Sequence, residues 1–336
     1  MFRFEVRAGC NLRYFLLALL GVALLFGSAA FAQRQFVAIG GGSTGGTFNV
    51  FASGIGDIIG RSVDGVNMTV EGSAGSAENI RRIQGGDLEM GIAFAGDSYL
   101  AYNGTDVFEE GGPYDDLRAI GFLYSAVSQI VTLEDSGITS LADLEGIDMA
   151  VGGAGSGTQL SLERLLSTVG IYDTINPVLV AGQNASDQLK NRQVEAYHAL
   201  FGVPNAAVTD TASTADIHLI SSYDEAEAAG FFEQYPFYTE YVIPAGTFDG
   251  VDEDVRTFRD AGLWVVSAGV DEDLVYEMTK AIYDQEGLDR MLQVTNVASE
   301  MGPDNALVGV QLPLHPGAAR YWDEVGVDIP EVAEPR

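Results

Sequence analysis

The sequence predicts an α/β fold with mainly parallel sheets, divided between two domains. A strand, a turn of small residues and a helix follow one another three times in the chain. This succession is the first half of a β-α-β unit, and such units build parallel sheets. At 336 residues, the chain also exceeds the roughly 250–300 residues at which a single hydrophobic core stops growing.

The chain begins with the pattern of a secretory signal peptide. Arg3, Arg7 and Arg13 accompany an apolar run over residues 14–26, and Ala30-Phe31-Ala32 provides a cleavage site. The run is shorter than the ~20 residues that span a bilayer. We therefore assign residues 1–32 to a cleaved signal peptide and expect an extracytoplasmic protein, with an uncleaved anchor as the alternative.

The composition excludes several classes of function. Lys and Arg total 17 against 48 Asp and Glu, a formal net charge of −31. Nucleic acids and anionic lipid surfaces are therefore not expected partners, since both require clustered basic residues. The single cysteine, Cys10, precedes the apolar run and excludes a disulfide framework.

Three repeated units organise the chain. The first has a strand at 35–40, a turn at 41–46 and a helix with Phe48, Phe51, Ile55, Ile58 and Ile59 on one face. The second has a strand at 66–71, a turn at 72–76 and a helix at 77–84, and the third has the same elements at 147–152, 153–158 and 159–169. Further strands are predicted at 88–94, 129–133, 196–201, 216–220 and 262–268, and further helices at 141–145, 185–193, 224–233 and 272–284.

The three turns are the candidate binding elements. They contain only small, uncharged residues, and glycine lets the backbone approach a ligand closely. Each turn opens a helix, whose first four N–H groups have no partner inside the helix. If the turns meet, they form an anion site without Lys or Arg. The alternative is that these residues only cap helices and tighten turns.

Two enzyme motifs overlap the first turn. Gly40-x-Gly42-x-x-Gly45 matches the dinucleotide fingerprint, but a lone match is weak in a chain with 41 glycines. Gly41-x-Ser43-x-Gly45 matches the nucleophile elbow of α/β-hydrolases, with His315 as a possible base. Only residues 33–42 separate the expected cleavage site from Ser43, which leaves no room for the strands that the elbow requires, so a secreted serine hydrolase stays a weaker alternative.

Other polar and aromatic residues receive structural interpretations. His198 lies in an apolar run and is expected in the core, and His315 is expected to anchor a turn. The spacing of the histidines predicts no metal site, and no cofactor is expected. Arg81 and Arg82 are assigned to a solvated helix face, and the six aromatics of residues 225–241 to packing.

Six segments, in order from about residue 40 to 325, resemble the TAXI-type extracytoplasmic solute receptors of TRAP transporters. They are IGGGSTGGTF, VEGSAGSAENIRRIQGGDLEMGIA, LRAIGFLYSAVSQIVTLEDSGITSLADLEGIDMAVGGAGSGTQ, IPAGTFDGVDEDV, MGPDNAL and PLHPGAARYW. The resemblance implies a two-lobed periplasmic binding protein of the type II kind, with a ligand cleft between the lobes. Residues 33–124 and 266–336 would form lobe I and residues 125–265 lobe II, and the chain would cross between them near 122–130 and 260–268.

The resemblance also implies a function and a set of ligand residues. A monomeric, non-enzymatic receptor would bind glutamate, glutamine or a related small carboxylate and deliver it to a TRAP-type permease; the alternative is a binding protein that serves a membrane sensor. The ligand residues would be Gly42, Ser43, Thr44, Gly45, Gly46, Ser73, Ala74, Gly75, Ser76, Tyr124, Ser156, Gly157, Thr158 and Gln159. The sequence departs from the family at Phe48, Asn49 and Val50, where tyrosines and a proline are frequent, and at Phe94, where Gln is frequent. The loss of polar groups at these positions favours a less polar acid.

Overall fold

The computed structural model describes residues 35–42 and 46–336. The expected signal peptide, residues 1–32, lies outside the described residues, and so do Ser43, Thr44 and Gly45 of the first turn. Among the helices of the described part, none has both the length and the apolar character needed to cross a membrane.

Ten strands of the described chain form one curled sheet. They are β1 (Gln35–Gly40), β2 (Val66–Glu71), β3 (Met90–Phe94), β4 (Leu117–Leu133), β5 (Asp148–Ala150), β6 (Asn176–Val178), β7 (Ala196–Phe201), β8 (Ile217–Leu219), β9 (Thr239–Ile243) and β10 (Val255–Ser267). Their order is β2-β1-β3-β10-β4-β7-β5-β6, with β8 beside β4 and β9 beside β10.

Helices flank this sheet. They are α1 (Thr47–Ser62), α2 (Ser76–Gln84), α3 (Ala95–Asn103), α4 (Gly157–Thr168), α5 (Gly182–Lys190), α6 (Ala206–Ala212), α7 (Tyr223–Ala228), α8 (Phe231–Gln234), α9 (Glu272–Tyr283), α10 (Gln285–Val294) and α11 (Pro316–Glu324). The first helix buries the five apolar residues that the sequence places on one face, Phe48, Phe51, Ile55, Ile58 and Ile59.

Two long antiparallel strands connect two groups of shorter strands. β4 and β10 pair with each other from Leu117↔Ser267 to Val127↔Arg259. Toward one end, β10 pairs with β3, which in turn pairs with β1 in parallel. Toward the other end, β4 pairs with β7 and β8, and β7 pairs with β5 in parallel. The segments 122–130 and 260–268, where the chain is expected to cross between lobes, lie mostly within these two strands, which join the two groups of shorter strands into one sheet.

Some predicted elements differ from those observed. The helix predicted at 141–145 is only a 3₁₀ turn, Ala142–Leu144. The helix predicted at 224–233 is divided into α7 and α8 at Gly230, whose φ of 82° interrupts the helix. The sequence interpretation missed α3, because that helix is buried on nearly all sides and has no amphipathic pattern.

The aromatic residues of 225–241 pack in the core, as predicted. Phe231, Phe237 and Tyr238 are buried. The rings of Phe231 and Tyr238 are stacked at 5.0 Å, and both contact the ring of Phe258 in β10. This segment thus anchors α8 on one of the two crossing strands.

Candidate functional site

The three small-residue turns converge on one cavity of about 390 Å³. Nine of the predicted ligand residues line it: Gly42, Gly46, Ala74, Gly75, Ser76, Tyr124, Ser156, Gly157 and Thr158. They come from both groups of strands and from the crossing strand β4. The cavity is therefore formed jointly by segments that lie far apart in the sequence, from Gly42 to Phe201.

Two predicted ligand residues, Ser73 and Gln159, shape the turns and do not line the cavity. The Ser73 hydroxyl donates to the carbonyl oxygen of Gly41 at 2.7 Å and accepts from the N–H of Gly75 at 3.1 Å. Gln159 accepts from the N–H of Gly155 at 2.7 Å through its side-chain oxygen. Both side chains are therefore used in local hydrogen bonds that fix the second and third turns.

Asn79, which the sequence interpretation overlooked, holds the first turn in place. Its side chain is fully buried, and its amide nitrogen donates to the carbonyl oxygens of Gly41 at 2.6 Å and Ile92 at 2.8 Å. It thus ties the first turn to α2 and β3. A polar residue at a core position of the α2 pattern was the signal that could have found it.

Five helices begin at the cavity, two more than the sequence predicted. The residues immediately before α1, α2, α3, α4 and α5 are Gly46, Gly75, Phe94, Ser156 and Ala181, and all five line the cavity. Only Ser156 caps its helix with a side chain, accepting from the N–H of Gln159. The start of α5 could have been predicted from the small residues at Ala181-Gly182. The start of α3 could not, because α3 follows β3 directly without a turn.

This arrangement directs the positive ends of five helix dipoles toward the cavity without basic side chains. A helix N-terminus carries roughly half a positive charge and unpaired N–H donors. The described lining residues are all uncharged, and Ser43, Thr44 and Gly45 are uncharged as well. The backbone therefore provides the means of holding an anion.

Aromatic rings form one wall of the cavity. The rings of Phe48 and Phe94 lie 4.8 Å apart, and Tyr124 meets Phe48 edge-on at 6.3 Å. Burial raises the pKa of Tyr124 well above its ordinary value, so its hydroxyl stays protonated. Phe94 also covers the start of α4, because a Cβ at Gly157 would lie 2.2 Å from Cδ2 of Phe94.

A family model described as the NMT1-like family matches residues 39–326, most of the chain. The chain belongs to the NMT1-like family. This match does not distinguish TAXI-type receptors within it, so that resemblance stays a prediction.

Solved structures show the same fold at low sequence identity. A protein of Bordetella bronchiseptica RB50 is 16% identical, with 90% of this chain and 86% of that chain covered and a TM-score of 0.52. PhnD1 of Prochlorococcus marinus (MIT 9301), solved in complex with methylphosphonate, is 11% identical, with 78% and 90% covered and a TM-score of 0.51. The periplasmic aliphatic sulphonate binding protein SsuA of Escherichia coli is 14% identical, with 86% and 83% covered and a TM-score of 0.44. The first two of these structures, with TM-scores above 0.5, confirm the predicted α/β fold of the periplasmic binding protein type.

Behind the aromatic wall, this NMT1-like protein buries a cluster of charged residues. Arg164 of α4 is 5% exposed and donates to Asp97 of α3 at 3.1 Å, to Asp106 at 3.0 Å and to the Tyr238 hydroxyl at 3.2 Å. Nearby, burial and the charge of Asp97 raise the pKa of Asp260 to about 8. The cluster thus links α3 and α4, two of the helices that begin at the cavity.

In both His198 and His315, the two ring nitrogens are already engaged in hydrogen bonds. His198 is buried, its pKa is lowered to about 4 by desolvation, and its ring contacts the Ser128 hydroxyl and the Thr158 carbonyl. His315 caps α11 by accepting from the N–H of Gly317, and its other nitrogen donates to the carbonyl of Val270. Both ring nitrogens of His315 are therefore committed, which leaves the proposed Ser43–His315 pair without a free base. The described residues also contain no group of His, Cys, Asp and Glu suited to a metal ion.

Proposed function

We propose that this NMT1-like protein is an extracytoplasmic solute-binding receptor that captures a small carboxylate and delivers it to a TRAP-type membrane permease. The observation that carries the proposal is the convergence of five helix N-termini on one uncharged cavity. The N-terminal segment supports export, and the TRAP-type partner rests on the resemblance of six ordered sequence segments.

The energetics of such a site are adequate for a receptor. A hydrogen bond to a charged group contributes roughly 1.5–3 kcal/mol, and a micromolar complex requires about 8 kcal/mol. Three or four backbone donors therefore reach this range before the entropy of association is subtracted. The methylphosphonate complex of PhnD1, a protein of the same fold, supports an anion as the ligand.

The proposed motion is closure of two lobes around the ligand. Lobe I would comprise residues 33–124 and 266–336, lobe II residues 125–265, and β4 and β10 would provide the hinge. The receptor would bind without making or breaking covalent bonds, and the permease would perform the transport.

A ligand search on the purified chain lacking residues 1–32 tests the proposal. We expect carboxylates, but not methylphosphonate or methanesulfonate, to raise the melting temperature at millimolar concentration, because a ligand at 100 times its Kd stabilises the folded state by ~2.7 kcal/mol. Mass spectrometry of small molecules released from natively purified, then denatured protein provides an independent readout. If no acid stabilises the protein and no carboxylate is released, the proposal is wrong.

The permease is tested separately in proteoliposomes that contain the transporter encoded beside this protein. Uptake of a radiolabelled ligand that requires the receptor and an ion gradient, without ATP, supports a TRAP-type partner. A requirement for ATP would contradict that part of the proposal and leave the binding function intact.

A further inference from the structure

The cavity lacks a partner for a second charge on the ligand. None of the described lining residues is ionisable below pH 10, and the five helix N-termini repel an ammonium group. The nearest buried acid described above, Asp97, accepts from Arg164 through Oδ1 and does not line the cavity, although its unpaired Oδ2 lies beside Gly157. An amino acid would therefore bring its ammonium group into the cavity without a compensating carboxylate.

Two N–H groups at the start of α3 are already used. The N–H of Phe94 donates to the Ser76 hydroxyl at 3.0 Å, and the N–H of Gly96 donates to Asp260 at 3.2 Å. A second carboxylate placed at this end of the cavity would compete with these bonds.

The rest of the wall is apolar. Phe48, Phe94, Leu200 and Phe201 line the cavity with carbon surfaces, and the ring of Phe94 lies against the start of α4. Burying apolar ligand surface against such groups is favourable by roughly 25 cal/mol per Å², whereas burying an unpaired polar group is costly.

We propose that the ligand is a monocarboxylate with an apolar aryl or branched-alkyl body, and that Phe94 is a specificity-determining residue that selects this body. The inference rests on the proposed function, since it assumes that the carboxylate end is held by the helix N-termini. The apolar end would then meet the rings of Phe48 and Phe94.

Isothermal titration calorimetry with matched probes tests the inference on the unmodified chain. 3-Phenylpropionate and 4-methylpentanoate are the apolar acids, glutarate replaces the apolar body by a second carboxylate, and phenylalanine adds an ammonium group. We expect at least one apolar acid to bind tenfold or more tightly than both glutarate and phenylalanine. Tighter binding of glutarate, glutamate or phenylalanine would overturn the inference but preserve the receptor function.

A neutral probe separates the two proposals. 3-Phenylpropionamide retains the apolar body without the charge and is expected to bind at least tenfold more weakly than 3-phenylpropionate. Equal binding would contradict the anion site and leave only an apolar pocket. If none of these probes binds, the inference is overturned, and the ligand search and mass spectrometry described above decide the proposed function.

Two substitutions at Phe94 assign the selectivity to this residue. Phe94→Asn is expected to weaken the apolar acid at least tenfold, while Phe94→Leu, which retains apolar volume, keeps 4-methylpentanoate within about threefold. Thermal denaturation checks that both variants fold. If Phe94→Leu folds and discriminates among the acids no better than Phe94→Asn, the role of Phe94 is contradicted.

Discussion

Removal of the Arg164 side-chain charge should destabilise the protein far more than removal of a surface arginine. In Arg164→Met, three hydrogen bonds are lost, and Asp97, which is 1% exposed, remains buried without its cation. Breaking a buried ion pair by removing one partner costs about 3–5 kcal/mol. Methionine fills much of the space that the arginine stem occupied, so the loss reflects charge and hydrogen bonding more than a cavity.

Arg192→Met is the matched control. Arg192 pairs with Asp135 at 2.6 Å, but the two side chains are 64% and 66% exposed, so this change should have little effect on the free energy of unfolding. Both free energies of unfolding are measured by urea denaturation followed by circular dichroism at pH 7.

The double variant Arg164→Met, Asp97→Asn isolates the cause. Asparagine removes the uncompensated charge, so the double variant should recover at least about 1 kcal/mol relative to Arg164→Met alone. If the two arginine substitutions differ by less than about 1 kcal/mol, or if Asp97→Asn adds to the loss, the buried charge is not the origin of the effect.

Three further outcomes follow from the site and the core. Gly157→Ala should weaken the binding of 3-phenylpropionate fivefold or more by calorimetry, because the new Cβ would lie 2.2 Å from Phe94. Gly153 also lines the cavity, but a Cβ there meets nothing within 4 Å, so Gly153→Ala should bind 3-phenylpropionate normally. The stability of Asp260→Asn relative to the unmodified chain, measured by urea denaturation, should increase as the pH rises from 4 to 8. Because the pKa of Asp260 is raised to about 8 in the folded state, the folded protein holds a proton that the unfolded chain releases, and the unmodified protein loses stability over this range. A difference in stability that does not change with pH would contradict the raised pKa. The imidazole of His198, with its pKa near 4, should show no titration above pH 5 by NMR, and a midpoint near 6.5 would show that the ring is hydrated.

The repeated units were predictable because their signals are local. The strands at 35–40, 66–71 and 196–201 have the predicted bounds, since each is a short apolar run that ends at or near glycine. The helices after the first three turns were found because small residues precede an amphipathic pattern. Apart from Tyr124, the predicted ligand residues that line the cavity were identified from the same small-residue turns.

The remaining features depend on contacts that are distant in sequence. The length of β4, 17 residues, follows from its pairing with β10, β7 and β8. No local sequence pattern shows where β4 begins or which strand each part of it pairs with. Arg164 meets Asp97 across 67 residues, so the buried cluster has no motif. Phe94 could be recognised as a departure from the resembled family, but its position over Gly157 emerges only when β3 and α4 are brought together.

In the proposed receptor, the position of Arg164 on α4 would connect ligand capture to lobe closure. Gly157 opens α4 at the cavity, and Arg164 follows seven residues later on the same helix, a distance of ~10 Å along its axis. In the proposed division, α4 belongs to lobe II, whereas Asp97 and Asp106 belong to lobe I. Because a helix moves as a rigid element, a closing step that brings the α4 N-terminus onto a ligand would also bring Arg164 onto its two aspartates. A ligand that bridges the cavity would therefore favour the same closed arrangement as the Arg164 ion pair behind it. Ligand binding and ion pairing would then strengthen each other.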